Sequence, residues 1–210
     1  MGSVQGLAIK WLLPELNNSI ESWCFKVSGC TEEDLVFYDI VIKYYNRILD
    51  CINATSEGDS IIFVGWGFTP RLDLKSGFSD LDSKDKDFVF QKANTLETVI
   101  LQAAKRNVNV NILLTSDHVW CNTSAVIKNF RNNKNIKTYI DNQLYEFHQK
   151  GCFFFTKGTP ILFLGGMDLH PKANDHIDVQ LEIRGTSALL GAGTFYERIN
   201  SLENGSLQSM

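Results

Sequence analysis

The stretch His148-Gln149-Lys150-Gly151-Cys152-Phe153-Phe154-Phe155 combines a histidine and a lysine with an apolar run of strand length. Because side chains of an extended strand alternate between its two faces, His148 and Lys150 are predicted to point the same way. A neutral imidazole can attack phosphorus and carry the phosphoryl group, while an ammonium group beside it binds the non-bridging oxygens. The pair therefore indicates phosphodiester chemistry, although an H-x-K tripeptide also occurs by chance, and a strand histidine is more often a structural hydrogen-bonding residue.

The length and composition of the chain fit one α/β domain with a full hydrophobic core. It has 210 residues, of which 44% are hydrophobic. The net charge of −4 argues against a dedicated nucleic-acid-binding protein, which normally carries a basic stripe. The five cysteines have irregular spacing and include no C-x-x-C pair, so we expect reduced thiols rather than a metal site.

The sequence shows no targeting or membrane-spanning segment. Residues 1–10 lack the basic and apolar regions of a secretory signal, and no stretch approaches the ~18 apolar residues that cross a bilayer. We therefore expect a cytoplasmic or membrane-peripheral protein.

The hydrophobic pattern divides the chain into three parts. Residues 1–30 have no sustained period and are interpreted as an amino-terminal lead-in, residues 31–203 as a single domain, and residues 204–210 as a tail. Thr31 with Asp34 resembles a capping box, which predicts an amphipathic helix of about 20 residues from this point.

Alternating strands and helices follow. Strands are predicted at residues 60–66, 108–114, 136–140 and 179–183, and helices at 96–104, 126–130 and 188–200. His148 and Lys150 are placed on a further strand, which leads into the apolar runs 152–155 and 161–168. This pattern predicts a layered α/β domain with a mixed, largely parallel sheet and with active groups where strands end. The polar residues 71–87 carry both signs of charge and are interpreted as a solvated loop rather than a metal site.

Four blocks of the chain, from about Phe37 to Asn200, resemble the phospholipase D superfamily. Asn46-Arg47-Ile48-Leu49 resembles the family's opening helix, and Ser60-Ile61-Ile62-Phe63-Val64-Gly65-Trp66-Gly67-Phe68-Thr69-Pro70 resembles its tryptophan-containing strand. Residues 96–114 resemble its second helix and second strand. His148-Gln149-Lys150 resembles the family's catalytic segment, and Gly165-Gly166-Met167-Asp168-Leu169 resembles its glycine-pair strand end. Residues 176–185 resemble its closing strand, and Glu197-Arg198-Ile199-Asn200 resembles its closing helix.

This resemblance implies an α/β/α domain around a central mixed, largely parallel sheet, and a metal-independent phosphodiesterase that needs no cofactor. The reaction would pass through a phosphohistidine, with His148 as nucleophile or acid partner and Lys150 as the phosphate-binding cation. Asp178 falls near the family's acidic residue that orients the imidazole and fixes its tautomer. The alternative for Asp178 is an ordinary carboxylate at a strand end.

The resemblance also implies three substrate-binding positions. Gly165 and Gly166 would let the backbone come close to the phosphate. Asp168 falls where the family often has Asn or Asp near the phosphate. The remaining histidines, His118, His170 and His176, are more readily explained as surface or hydrogen-bonding residues.

The chain departs from the family pattern in two ways. In the family motif H-x-K-x4-D, the aspartate position is occupied here by Phe155, which makes a degenerate or repurposed site plausible. Only one H-x-K occurs, whereas the reaction needs one histidine to attack and another to protonate the leaving group. A symmetric homodimer, a longer chain with a second motif, or a partner chain could complete the site.

Three functions follow from these patterns. The first is a phosphodiesterase or transphosphatidylase that prefers a phospholipid, with contact to a membrane surface. The second is a dimeric nuclease with the same chemistry, which would act on DNA or RNA in EDTA and lose activity at high salt. The third is a non-catalytic binding or assembly module, which the Phe155 substitution favours.

Overall fold

A computed structural model describes residues 35–79, 92–116, 123–141, 148–171 and 178–204. Their strands are β1 (Leu35–Tyr38), β2 (Ser60–Gly65), β3 (Asn109–Thr115), β4 (Ile136–Asp141), β5 (Lys150–Phe155), β6 (Ile161–Gly165) and β7 (Gln180–Arg184). Their α-helices are α1 (Val41–Ala54), α2 (Leu96–Lys105), α3 (Thr123–Phe130) and α4 (Thr186–Glu203). The predictions for residues 1–30, His118, His176 and the segment 80–87 lie outside the described residues.

The strands form one sheet in the order β1-β7-β6-β5-β2-β3-β4. The sheet is mixed, as predicted, but the expectation that it is largely parallel is wrong. Only β2 with β3 and β3 with β4 pair in parallel, while the other four described pairings are antiparallel. For β5 and β6, the antiparallel direction follows from the connection between them, residues 156–160, which is too short for the crossover that a parallel pair requires.

Helices cover both faces of the sheet, which confirms the predicted α/β/α layering. Residues of α1, α2 and α3 share the larger core with one face, and α4 packs on the other through Ala188, Ala192, Phe195 and Ile199. Strand β2 contributes Ile61 and Phe63 to the first core and Ile62 and Val64 to the second, because successive side chains alternate. Its continuous apolar sequence therefore reflects burial on both sides.

The predicted helix from Thr31 is wrong at its beginning. Residues 35–38 form strand β1, and α1 begins only at Val41, after the N-cap residue Ile40. The sequence Leu-Val-Phe-Tyr suits a strand, and it pairs antiparallel with β7, with Phe37 opposite Leu181. Tertiary pairing thus takes these residues out of the helix.

A buried carboxylate, Glu182, joins β1, α1 and β7. Its side chain is fully buried, and its oxygens accept hydrogen bonds from Tyr38, from Arg47 at 2.8 and 3.0 Å, and from Arg184 at 2.8 Å. Burial by itself raises the pKa of Glu182, but the hydrogen bonds from Arg47, Tyr38 and Arg184 outweigh it and lower the pKa below its usual value. Glu182 therefore has a structural role, since both of its oxygens already accept hydrogen bonds within the fold.

None of the helices in the described ranges is long and apolar enough to cross a membrane. The two cysteines that the structure describes, Cys51 and Cys152, are free and buried, as expected for reduced thiols. Burial raises the pKa of each thiol to about 12, so neither is a reactive thiolate near neutral pH.

Candidate active site

The sequence-predicted residues lie at one end of the sheet. The parallel strands β2 and β3 finish here, and the antiparallel strand β5 begins here with Lys150, which pairs with Gly165 at the end of β6. His148 precedes β5 instead of lying within it. The edge therefore gathers chain segments that are distant in sequence.

The His148 and Lys150 side chains converge. Lys150 Nζ lies 3.2 Å from His148 Nε2 and also donates to the carbonyl oxygen of His148 at 3.2 Å. The Lys150 side chain is only 7% exposed, whereas His148 is exposed. When the ammonium group donates to Nε2, the neutral imidazole carries its proton on Nδ1. The nitrogen without a proton, Nε2, then lies next to the lysine that would hold a phosphate.

Trp66 forms a wall beside this pair. Its ring meets the His148 ring edge to face, with centroids 5.3 Å apart, and Lys150 Nζ lies 5.7 Å from the centroid of the Trp66 ring. The residue follows directly after β2 and is partly exposed. It restricts the directions in which the imidazole can turn.

Asp168 lies on the other side of Lys150. Its Oδ1 accepts hydrogen bonds from the backbone N–H groups of Trp66 at 3.1 Å and Gly67 at 2.8 Å, and its Oδ2 lies 3.5 Å from Lys150 Nζ. Burial raises the pKa of Asp168 above its usual value, although the Gly67 N–H and the Lys150 charge oppose this shift. The carboxylate thus connects the end of β2 to the lysine.

Tyr45 anchors the segment that carries Asp168. This fully buried residue of α1 places its hydroxyl 2.9 Å from the carbonyl oxygen of Asp168 and 2.8 Å from that of His170. Thr69 N–H also donates to the carbonyl oxygen of Leu169 at 2.9 Å. The sequence did not indicate either contact, because a tyrosine on the apolar stripe of a helix resembles any other core residue.

The glycine pair has a packing requirement. A Cβ on Gly165 would lie 2.2 Å from the carbonyl oxygen of Val179, and one on Gly166 would lie 2.0 Å from Asp178 Oδ2. Real Cβ atoms do not approach other atoms so closely, so both positions need glycine for the contact with the segment before β7. The predicted approach of these glycines to a phosphate stays a prediction.

Asp178 is placed near the glycine pair and not against His148. Its Oδ1 accepts a hydrogen bond from the Val179 N–H at 2.7 Å, and its carboxylate lies over Gly166. No hydrogen bond joins Asp178 to His148 in the described part of the chain. Its predicted role in orienting the imidazole therefore stays a prediction.

Comparisons with solved structures identify the fold of the chain. Neither a family model nor a curated protein matches the sequence. NucT from Helicobacter pylori superposes with a TM-score of 0.53 and 17% identity, over 80% of this chain and 96% of that one. Nuc from Salmonella typhimurium, a phospholipase D family member, gives 0.50 and 17%, over 76% and 86%. The chain has the phospholipase D fold.

A third solved structure has the same fold in a larger protein. Phosphatidylserine synthase from Haemophilus influenzae superposes with a TM-score of 0.50 and 12% identity, and the match covers 81% of this chain but 37% of the synthase. One unit with the phospholipase D fold thus accounts for about a third of that protein.

Phe155, which replaces the motif aspartate, lies far from the site of this phospholipase D fold. It is the last residue of β5, five positions after Lys150, or about 17 Å along an extended strand. Its side chain is 45% exposed, and its ring packs 6.4 Å from that of Phe153 on the α4 side. The substitution therefore removes no group from the edge that carries His148.

Of the remaining histidines, the structure describes His170. His170 contributes its carbonyl oxygen to Tyr45, while His118 and His176 lie outside the described residues. Within the described ranges, no three His, Cys, Asp or Glu side chains gather as a metal site would require.

Proposed function

We propose that this protein is a metal-independent phosphodiesterase of phospholipase D type that hydrolyses or transfers a phosphodiester through a phosphohistidine. One observation carries the proposal: the exposed imidazole of His148 has its Nε2 atom 3.2 Å from the ammonium group of the buried Lys150. A nucleophile and a phosphate-binding cation are therefore within reach of one phosphorus atom.

In the first step, Nε2 of His148 attacks phosphorus, a P–N bond forms, and the bond to the leaving oxygen breaks. Lys150 donates to the non-bridging oxygens as their charge increases. In the second step, water or an alcohol displaces the imidazole and restores His148. The leaving oxygen needs a proton in the first step, and the incoming water must lose one in the second.

A second histidine must perform this proton transfer. We propose that a second copy of the chain provides it, because two-fold symmetry would bring two copies of His148 and Lys150 together. A longer chain or a partner with its own motif would serve equally well. Asp178 is proposed to orient the imidazole in the complete site, and Gly165, Gly166 and Asp168 to surround the phosphate.

A phospholipid is the preferred substrate class. The chain carries a net charge of −4, and among the described residues at this edge two carboxylates, Asp168 and Asp178, accompany Lys150. A nucleic-acid polyanion binds best to a surface with excess positive charge, which this combination does not offer. The fold shared with a phosphatidylserine synthase is consistent with a lipid substrate.

The test compares two substrates in buffer with EDTA. Phosphatidylcholine vesicles are assayed for choline release and a single-stranded oligonucleotide for cleavage, with wild type, His148→Ala and Lys157→Ala. Lys157 is an exposed lysine at the other end of β5, so its variant serves as the control. We expect choline release by wild type and Lys157→Ala and a loss of at least about 10³-fold in His148→Ala.

Other outcomes identify the rivals. Cleavage of the oligonucleotide without choline release would favour the nuclease. No turnover of either substrate, together with no acid-labile phosphohistidine on the protein, would favour a non-catalytic module. Mixing wild type with His148→Ala tests the shared site. If both histidines of a dimer are needed, activity in an equal mixture falls to about one quarter rather than one half.

A further inference from the structure

The two oxygens of Asp168 have unequal partners. Oδ1 accepts two backbone hydrogen bonds, from Trp66 and Gly67, which use both of its lone pairs. Among the described residues, Oδ2 has one polar partner, the ammonium group of Lys150, at the long distance of 3.5 Å. Oδ2 is therefore the oxygen that a ligand at Lys150 would meet.

An anionic ligand at Lys150 conflicts with an ionised Asp168. A carboxylate can only accept hydrogen bonds, and so can the non-bridging oxygens of a phosphodiester. Two negative charges would then share one lysine in a site where the Asp168 side chain is 13% exposed. Like charges at close range favour protonation of the group that can take up a proton.

Among the described residues, the ammonium group of Lys150 is the positive charge that lies against Asp168. Lys150 faces it from the start of β5, with His148 3.2 Å beyond the lysine Nζ, and the phenols of Tyr44 and Tyr45 face it from α1. His170 lies on the same segment as Asp168 and close to Gly67. Burial already raises the pKa of Asp168 in the absence of ligand.

We propose that Asp168 binds the phosphodiester as a carboxylic acid, so that binding takes up one proton from solvent. The proton is placed on Oδ2, and this O–H donates to a non-bridging oxygen, while Oδ1 keeps its two backbone hydrogen bonds. Every donor and acceptor of the group is then satisfied. This inference rests on the proposed function, which places the phosphodiester at Lys150.

If the proposal is right, the Asp168→Asn variant mimics the protonated carboxyl group of Asp168 at every pH. An amide has the same shape, keeps an oxygen for the N–H groups of Trp66 and Gly67, and presents an N–H donor at the position of Oδ2. Asp168→Asn should therefore bind the anion without taking up a proton at this position. Asp50→Asn is the control, because Asp50 is an exposed carboxylate of α1 with no role in the proposed site.

The experiment uses dimethyl phosphate, which stays a monoanion over the whole range from pH 5.5 to 8.5. Its dissociation constant is measured at constant ionic strength for wild type, Asp168→Asn, Asp50→Asn and Lys150→Ala. Proton uptake is obtained by calorimetry in buffers with different ionisation enthalpies. Both proteins carry His148 and Lys150, so the difference between them reports the effect of the change at Asp168.

We expect wild type to take up more protons on binding than Asp168→Asn, by up to one. At pH 8 the variant should bind at least about tenfold more tightly than wild type. Asp50→Asn should keep the wild-type uptake. Equal uptake in wild type and Asp168→Asn, or weaker binding by the variant at every pH, would overturn the inference.

The Lys150→Ala arm separates this inference from the proposed function. If wild type binds dimethyl phosphate and Lys150→Ala does not, while Asp168→Asn shows unchanged proton uptake, the protonation of Asp168 is refuted and the site stands. If wild type fails to bind and turns over no phosphodiester, the proposed function is refuted together with the inference. Circular dichroism and the thermal midpoint confirm that each variant is folded.

Discussion

Two carboxylates on the α1 side of the sheet, the buried Glu182 and the partly buried Asp168, lie in contrasting environments. Glu182 is fully buried and receives Arg47, Arg184 and Tyr38 at hydrogen-bond distance. Asp168 is 13% exposed and has one lysine at 3.5 Å. Hydrogen bonds hold the pKa of Glu182 below its usual value despite burial, whereas burial raises the pKa of Asp168.

The difference separates structure from function. A buried anion with all its acceptor sites used stabilises the edge of the sheet and has no capacity for another partner. An anion whose partners are too few leaves one oxygen and one lysine ready to meet a ligand, and such perturbed groups gather at functional sites. The following experiments test this contrast.

The largest effect is expected from Glu182→Gln. The change leaves Arg47 and Arg184 without their buried counter-charge, so we expect a loss of about 3–5 kcal/mol in the free energy of unfolding. Urea denaturation measures the loss. The control is Glu203→Gln, whose carboxylate lies at the surface with Lys137 and Tyr139 and should matter far less. Equal losses in both variants would refute the structural role of Glu182.

Lys150→Met should separate activity from stability at the other carboxylate. Turnover of a phosphodiester is expected to fall about 10²–10³-fold, because the group that stabilises the developing charge is gone. Folding should change little, since Asp168 can become neutral by protonation. Lys157→Met, at the far end of β5, is the control for both assays. A variant that unfolds as readily as Glu182→Gln would contradict the contrast.

The pH dependence of stability should have opposite signs at the two carboxylates. The lowered pKa of Glu182 stabilises the fold above the usual value of 4.5, and this contribution is lost as the pH falls through the lower, folded value. The raised pKa of Asp168 acts the other way, because stability is lost as the pH rises above the usual value of 3.8.

Denaturation between pH 3 and 8 therefore compares each variant with wild type. The advantage of wild type over Glu182→Gln should shrink on acidification, and Asp168→Asn should gain on wild type as the pH rises. Each difference changes by at most about 1.4 kcal/mol per pH unit. The same sign in both comparisons would show that the two environments are alike.

Tyr45→Phe tests the anchor beneath Asp168. The variant leaves the carbonyl oxygens of Asp168 and His170 without their buried donor, so we expect a loss of about 1–2 kcal/mol in the free energy of unfolding. Tyr44→Phe is the matched control, because the Tyr44 hydroxyl has only a 3.6 Å contact with the Cys152 sulfur. A larger loss in Tyr44→Phe than in Tyr45→Phe would argue against the anchor.

The smallest effect is expected from Phe155→Asp, which restores the family motif. The side chain is 45% exposed and about 17 Å from Lys150 along the strand, so turnover should change by less than about threefold. A steady-state assay of wild type and variant side by side decides the matter. A gain or loss of an order of magnitude would mean that this end of β5 communicates with the site.

Local patterns predicted the elements whose signals lie within a few residues. The apolar run of β2, the helical stripe of α2 and the alternation of β7 are all found, and α4 extends the predicted closing helix to Thr186–Glu203. The antiparallel direction of β6 was also encoded, in the short connection after β5, but the repeated strand-helix pattern outweighed it in the prediction.

Strand β1 shows the limit of this approach. Its residues continue the apolar spacing of α1, so the period alone predicts one helix from Thr31 onward. The decision lies in pairing with β7, whose partner residues are more than 140 positions away. No local pattern in the sequence indicates a pairing partner so far along the chain.

The sequence by itself determined that an imidazole and an ammonium group lie together at the start of a buried strand, because residues two positions apart cannot be far apart in space. Only the tertiary structure decided what surrounds them. Asp168 receives the N–H groups of residues 101 and 102 positions earlier, while Glu182 receives Arg47 across 135 positions. Such partners set the charge of each carboxylate, and they become neighbours only when the sheet is assembled.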